Sequence, residues 1–182
     1  MRAVGRSRLL SIIIGIGFFC SASAEADLRL IDQYERPVNA RALSGRWLLV
    51  YFGYASCREI CPAALITMTQ LLTRLGPLAN SIDPLFITLD PGHDSPEVLR
   101  DFLTHFDPRI RGLTGSTQAV ADAAHAFEVP WKSTFSGAVS DHGALFYLVA
   151  PDGRVLQMLH PQQPIDDLVA AVAKRIESTS KS

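Results

Sequence analysis

The chain has 182 residues, 48% of them hydrophobic and 19% charged, with a formal net charge of −1. That composition excludes a disordered chain and suits one globular domain of ordinary size. The only basic run, Arg2, Arg6 and Arg8, opens the N-terminus. Without those three arginines the balance is 14 basic against 18 acidic residues, a net of −4, which gives no electrostatic ground for nucleic-acid binding.

Residues 1–24 read as a leader. The arginines form a positive n-region, the 12-residue stretch 9–20 is apolar but short for a membrane span, and Ala22-Ser23-Ala24 is a small-x-small cleavage pattern. Removal after Ala24 leaves residues 25–182 as the domain; an uncleaved leader would tether it to the inner membrane. Export points to the bacterial periplasm, where disulfides form and persist. The chain is expected as a monomer.

Segment 28–38 predicts a short strand, a turn at 34–37 and a second short strand, an N-terminal β-hairpin. Ser44-Gly45-Arg46 is a turn. The unbroken apolar run 47–52 predicts a strand buried on both faces. Pro62 suits the first turn of a helix, Leu65, Met68, Leu71, Leu72 and Leu75 recur at helical spacing, and Gly76-Pro77 ends it. A buried strand over 85–89 and a loop over 90–94 come next. Ser95 caps a helix running to about 105, a short strand fits 109–113, and a helix runs from Ser116 through 127. Segment 129–140 shows no period. Strands over 143–150 and 155–160 flank the turn Pro151-Asp152-Gly153-Arg154, and an amphipathic helix fills 165–178. Alternating elements closed by a hairpin and a helix predict an α/β fold with a central mixed sheet flanked by helices.

With the leader set aside, Cys57 and Cys61 are the only cysteines. They lie between a buried strand and a helix start, where free N–H groups and partial positive charge favour a thiolate. Residues i and i+4 on a helix face the same way, with Cα atoms about 6 Å apart, within disulfide range. Three roles fit such a pair: a structural bridge, a redox couple, or half of a soft-metal site. A bridge would close a very small loop and add little stability. A metal site needs a third ligand. Among five histidines, His142 is best placed, after Asp141 and just before the strand at 143–150. A Cys₂His set suits copper. Asp141 is a candidate to orient His142; Asp90 and Asp94 read as turn and capping residues, and His93, His105, His125 and His160 as solvent-facing or structural.

Tyr51-Phe52-Gly53-Tyr54-Ala55-Ser56-Cys57-Arg58-Glu59-Ile60-Cys61-Pro62 resembles the cysteine motif of the Sco/SenC family of copper-binding cytochrome c oxidase assembly proteins. So do Ile87-Thr88-Leu89-Asp90-Pro91 with Asp94-Ser95-Pro96-Glu97, Leu113-Thr114-Gly115, and Asp141-His142 followed by Tyr147-Leu148-Val149-Ala150-Pro151-Asp152-Gly153. The resemblance implies a thioredoxin-like fold and copper, Cu(I) or Cu(II), held by Cys57, Cys61 and His142. It also implies a metallochaperone, rather than an enzyme, serving the copper centre of cytochrome c oxidase subunit II. The alternative is a thiol–disulfide oxidoreductase that reduces client cysteines through Cys57 and Cys61, which form a disulfide when oxidised. A peroxidase fits poorly, because the loop lacks a proline–threonine framework. Arg58 departs from the family, which usually has proline there, and Glu59 keeps an acid where aspartate is frequent.

Overall fold

The computed structural model describes residues 29–129 and 144–179. The leader, the segment with Asp141 and His142, and the C-terminal tail lie outside the described residues.

The chain runs β1 (Leu30–Asp32), β2 (Pro37–Val38), α1 (Ala40–Leu43), β3 (Trp47–Gly53), α2 (Ile60–Leu75), a 3₁₀ turn (Gly76–Ser81), β4 (Ile82–Thr88), α3 (Pro96–Leu103), β5 (Arg111–Thr114), α4 (Thr117–Ala126), β6 (Phe146–Val149), β7 (Val155–Leu159) and α5 (Ile165–Thr179). The strands form one sheet in the order β2-β1-β5-β4-β3-β6-β7. Strands β3, β4 and β5 are parallel neighbours; β6 and β7 join antiparallel on one side, and the β1–β2 hairpin joins antiparallel on the other. The parallel β3-α2-β4 unit beside the antiparallel β6-β7-α5 unit is the thioredoxin-like arrangement, extended by an N-terminal hairpin.

Every residue of β3 is buried, as its unbroken apolar run requires of a strand covered on both faces. Leu49 and Tyr51 face a core built with α2, α3 and α5, through Leu65, Met68, Leu72, Leu99, Leu103, Leu168 and Val172. Leu48, Val50 and Phe52 face the other core, with Leu43 of α1 and Val120, Ala123 and Ala124 of α4. Period-2 alternation thus divides one strand between two layers.

Some boundaries differ from expectation. Helix α1 was not anticipated: Asn39 accepts the Ala42 N–H and nucleates a four-residue turn too short to carry a hydrophobic period. Strand β4 begins at Ile82, three residues early, and Pro84 is accommodated within it. Helix α2 begins at Ile60, so Pro62 stands third, where its missing N–H still costs no helical hydrogen bond. Among the described residues, no helix is long and apolar enough to cross a membrane.

Two neighbours on α2 test the layering. Leu65 is fully buried and Ile66 is half exposed. Leu65→Ala is expected to cost about 2–5 kcal/mol in urea unfolding, and Ile66→Ala less than about 0.5 kcal/mol. Equal losses would contradict the packing of α2 described above.

Candidate functional site

Strands β3 and β4 run in parallel register from Trp47↔Ile82 to Gly53↔Thr88, so the two loops that follow leave the sheet side by side. The carboxyl ends of parallel strands are the usual place for a site in an α/β sheet. The first loop carries Cys57 into α2; the second carries Asp90, His93 and Asp94 into α3.

Cys57 is not helical. It ends a tight turn in which its N–H donates to the Tyr54 carbonyl at 3.2 Å. Cys61 lies in the first turn of α2, and its N–H donates to Cys57 Sγ at 3.3 Å. The sulfurs are therefore brought together by a capping contact: Cys57 Sγ takes one of the N–H groups that a helix start leaves free, rather than stacking one helical turn from Cys61. Both cysteines are free thiols.

A Cβ on residue 53 would lie 2.9 Å from Cys61 Sγ and 2.9 Å from Phe86 Cε2, so Gly53 lets the buried sulfur rest against the backbone of β3. Tyr51 lies in the core below, and its hydroxyl donates to Cys61 Sγ at 3.8 Å.

The two thiols are electrostatically unlike. Partial burial opposes ionisation of Cys57, but hydrogen bonds from the Cys61 thiol and amide, the Glu59 amide and the Tyr54 hydroxyl outweigh it, and the Cys57 pKa falls below its ordinary value. Burial pushes Cys61 up to about 12, and its hydrogen bond to Cys57 adds to the shift. Tyr54 is raised to about 12, first by burial and then by the Cys57 charge. Tyr51 is raised by burial and by Cys61. The result is one half-exposed thiol inclined to ionise, next to one buried thiol inclined to keep its proton and donate it.

The second loop is tied to the first. Asp94 is buried; its Oδ2 accepts the Ala55 N–H at 3.0 Å and the Thr88 hydroxyl at 2.6 Å. Thr88 Oγ1 in turn accepts the Asp90 N–H at 2.9 Å. Asp90 holds the exposed His93 through Nδ1, at 2.9 and 3.0 Å from its two carboxylate oxygens. Turn-forming roles fit Asp90, whose carbonyl accepts the His93 and Asp94 N–H groups. Asp94 does more than shape its own turn, because its carboxylate reaches 39 residues back. No local sequence signal marks such a contact. Ser95, as expected, caps α3 by accepting the Val98 N–H.

Of the three candidate metal ligands, Cys57 and Cys61 meet, and His142 lies outside the described residues. Phe146 of β6 pairs with Tyr51 of β3, so β6 begins at the end of the sheet that carries the cysteines. Among the described residues alone, no group of three or more His, Cys, Asp or Glu side chains could hold a metal ion. The two adjacent sulfurs supply soft donors suited to a soft cation, and they need a third ligand from elsewhere.

A family model described as SCO1/SenC matches residues 21–177. The SCO2-like protein RC0895 of Rickettsia conorii is 36% identical over 136 residues, covering 72% of this chain and 66% of its own. The human mitochondrial SCO2 homolog is 35% identical over 139 residues, covering 73% of this chain and 52% of its own. The chain thus spans about half to two thirds of the length of these curated relatives. Yeast Sco1 with copper bound superposes with a TM-score of 0.73 at 30% identity, over 84% of this chain and 91% of that one. BsSco, described as having a disulfide switch and as a member of the Sco family of cytochrome c oxidase assembly proteins, superposes with a TM-score of 0.69 at 26% identity, over 83% and 94%.

The thiol asymmetry predicts reactivity. Iodoacetamide at mildly alkaline pH is expected to label Cys57 in the folded, reduced protein and to spare Cys61 until denaturant is added. Equal labelling rates would contradict the assignment.

It also predicts alkaline instability. Cys61 and Tyr54 have folded pKa values raised from 9.0 and 10.0 to about 12. Their contribution is complete below the unfolded values and is lost as pH rises towards 12, because the unfolded chain releases those protons first. Cys57, with its lowered value, acts in the opposite sense, contributing stability above the unfolded cysteine pKa and losing it as pH falls through the folded one. Urea stability under reducing conditions is therefore expected to fall from about pH 9 upward, and Cys61→Ser should flatten that fall. A slope unchanged by Cys61→Ser would show that the loss originates elsewhere.

Proposed function

The chain belongs to the SCO1/SenC family, and from that membership we propose that it is a copper-binding metallochaperone acting in cytochrome c oxidase assembly. Copper is the cargo, held by Cys57, Cys61 and His142 and passed to the copper centre of oxidase subunit II. The observation that carries this reading is the juxtaposed sulfur pair: Cys61 N–H lies on Cys57 Sγ, and Gly53 makes room for Cys61 Sγ. Thiolate sulfur favours Cu(I), and an imidazole nitrogen extends the set to Cu(II). The relatives add support, since yeast Sco1 is described with copper bound. For His142, the supporting observation is that β6, which begins four residues after it, starts at the cysteine end of the sheet. In this reading the leader over 1–24 exports the chain to the periplasm, where residues 25–182 work free or tethered.

Loading requires both sulfurs reduced. Cys57 is already inclined to the thiolate; Cys61 gives up its proton as the cation arrives, with the Tyr51 hydroxyl remaining to hydrogen-bond the sulfur.

A second reading, a thiol–disulfide reductase for client cysteines, is favoured by the same asymmetry. The Cys57 thiolate would attack a client disulfide, forming a mixed disulfide and expelling one client thiolate. Cys61 would then lose its proton and attack Cys57 Sγ, releasing the second client sulfur and carrying two electrons to the client. An attacking thiol that is ionised and accessible beside a resolving thiol that is protonated and buried has the required order.

Titration of the reduced protein with Cu(I), then with Cu(II), tests the reading. One ion per chain is expected, with binding abolished in Cys57→Ser or Cys61→Ser and weakened with a changed Cu(II) spectrum in His142→Ala. An unchanged spectrum in His142→Ala would remove histidine from the ligand set. Thiol exchange with a client cysteine pair in a protein that retains no copper would favour the reductase.

A further inference from the structure

We propose that Asp94 is a positioning residue of the two-cysteine site: its buried carboxylate fixes the Ala55 amide, and through it the turn that presents Cys57. The inference rests on the reading that Cys57 and Cys61 form the working site.

The loop between β3 and α2 leaves the sheet at Gly53 and, among the described residues, has no strand neighbour beyond it. Tyr54 and Cys57 close its turn through Cys57 N–H to Tyr54 O, and Ala55 is the second residue of that turn. Ala55 N–H leaves the loop altogether, donating to Asp94 Oδ2 at 3.0 Å. This bond ties the cysteine turn to the β4–α3 connection without passing through either sulfur. A turn held at its second residue has little freedom at its fourth, where Cys57 stands.

Asp94 is itself held firmly. Its N–H donates to the Asp90 carbonyl at 2.9 Å, and Ser95 beside it caps α3. Thr88 Oγ1 accepts the Asp90 N–H, so its single proton is free to point at Asp94 Oδ2, 2.6 Å away. The carboxylate therefore accepts from both Thr88 and Ala55. Asp94 is only 1% exposed and Thr88 is fully buried. Burial raises the Asp94 pKa, so the carboxylate is kept there at a cost. What the turn requires is a buried acceptor at that place, and one carboxylate oxygen supplies it to both donors.

The test compares Asp94→Ala and Asp94→Asn with the wild-type chain. Asp107→Ala is the control, since Asp107 is also buried and pairs with Arg109 instead of the cysteine loop. Asparagine keeps an acceptor for Ala55 without the charge. The readouts are amide hydrogen exchange at Ala55, the midpoint potential of the Cys57–Cys61 couple, and the rate at which bicinchoninate removes Cu(I). In Asp94→Ala, exchange at Ala55 should rise about tenfold, as expected for one buried hydrogen bond, the potential should become more negative as the reduced arrangement loses support, and copper should leave several-fold faster. Asp94→Asn should recover most of each, and Asp107→Ala should lower global stability while leaving all three near wild type. If Asp94→Ala does not fold, Asp94→Ser takes its place and should show the same three changes.

Equal effects of Asp94→Ala and Asp107→Ala on the three readouts would overturn the proposal, as would an Asp94→Asn protein that behaves like Asp94→Ala. If the wild-type chain retains no Cu(I), the metallochaperone reading fails, while exchange and potential still decide the role of Asp94.

Discussion

A Cβ at residue 53 would collide at 2.9 Å with both Cys61 Sγ and a ring carbon of Phe86, and the site is organised around that restriction. The last residue of β3 must be small for the first turn of α2 to settle onto the strand. Once α2 is seated there, its free amide at Cys61 points at the turn before it, and Cys57 supplies the acceptor. The parallel register of β3 with β4 places Thr88 beside Gly53, which brings the Asp90–Asp94 connection within reach of the same turn. The helix start and the cysteine geometry thus depend on one close contact in the floor of the sheet, and the strand register brings the second loop to it.

The electrostatic inequality of the two sulfurs follows from the same arrangement. Cys61 sits in the core with a phenol as its neighbour, and charge there is expensive. Cys57 sits at the edge and collects hydrogen bonds from the helix start and from Tyr54. Two identical side chains four residues apart are separated by environment alone. The unlike pair suits disulfide exchange, which needs one sulfur ready and one in reserve, whereas a soft cation needs both as donors, so the buried Cys61 is the one that must lose a proton on loading.

Much of this was legible in the sequence. The apolar run at 47–52 identified the central strand, the spacing of Leu65, Met68, Leu71 and Leu72 identified α2, and the Cys57–Cys61 motif picked out two side chains that the structure brings together. Helix α1 was illegible because its four residues are held by an Asn39 side-chain bond rather than by an apolar period. Strand β4 was read short because Pro84 argues against a central strand. The i, i+4 spacing suggests one helical turn between the cysteines, since nothing local says that Cys57 stays outside the helix and accepts its first amide. The reach of Asp94 to Ala55 was invisible for another reason: it is a tertiary contact set by strand register, and the residues flanking Asp94 explain it fully as a turn former.

The floor contact at Gly53 also decides which half of the site can move. Cys61 is wedged between a strand backbone, a phenol and a phenylalanine ring, so any change in the separation of the two sulfurs must be taken up on the Cys57 side. One sulfur is set in the core, and the other sits on a turn braced from outside by the Ala55–Asp94 bond. Whatever draws the sulfurs together or spreads them therefore loads that brace and the turn it holds, where Arg58 and Glu59 are exposed, and not the helix behind it.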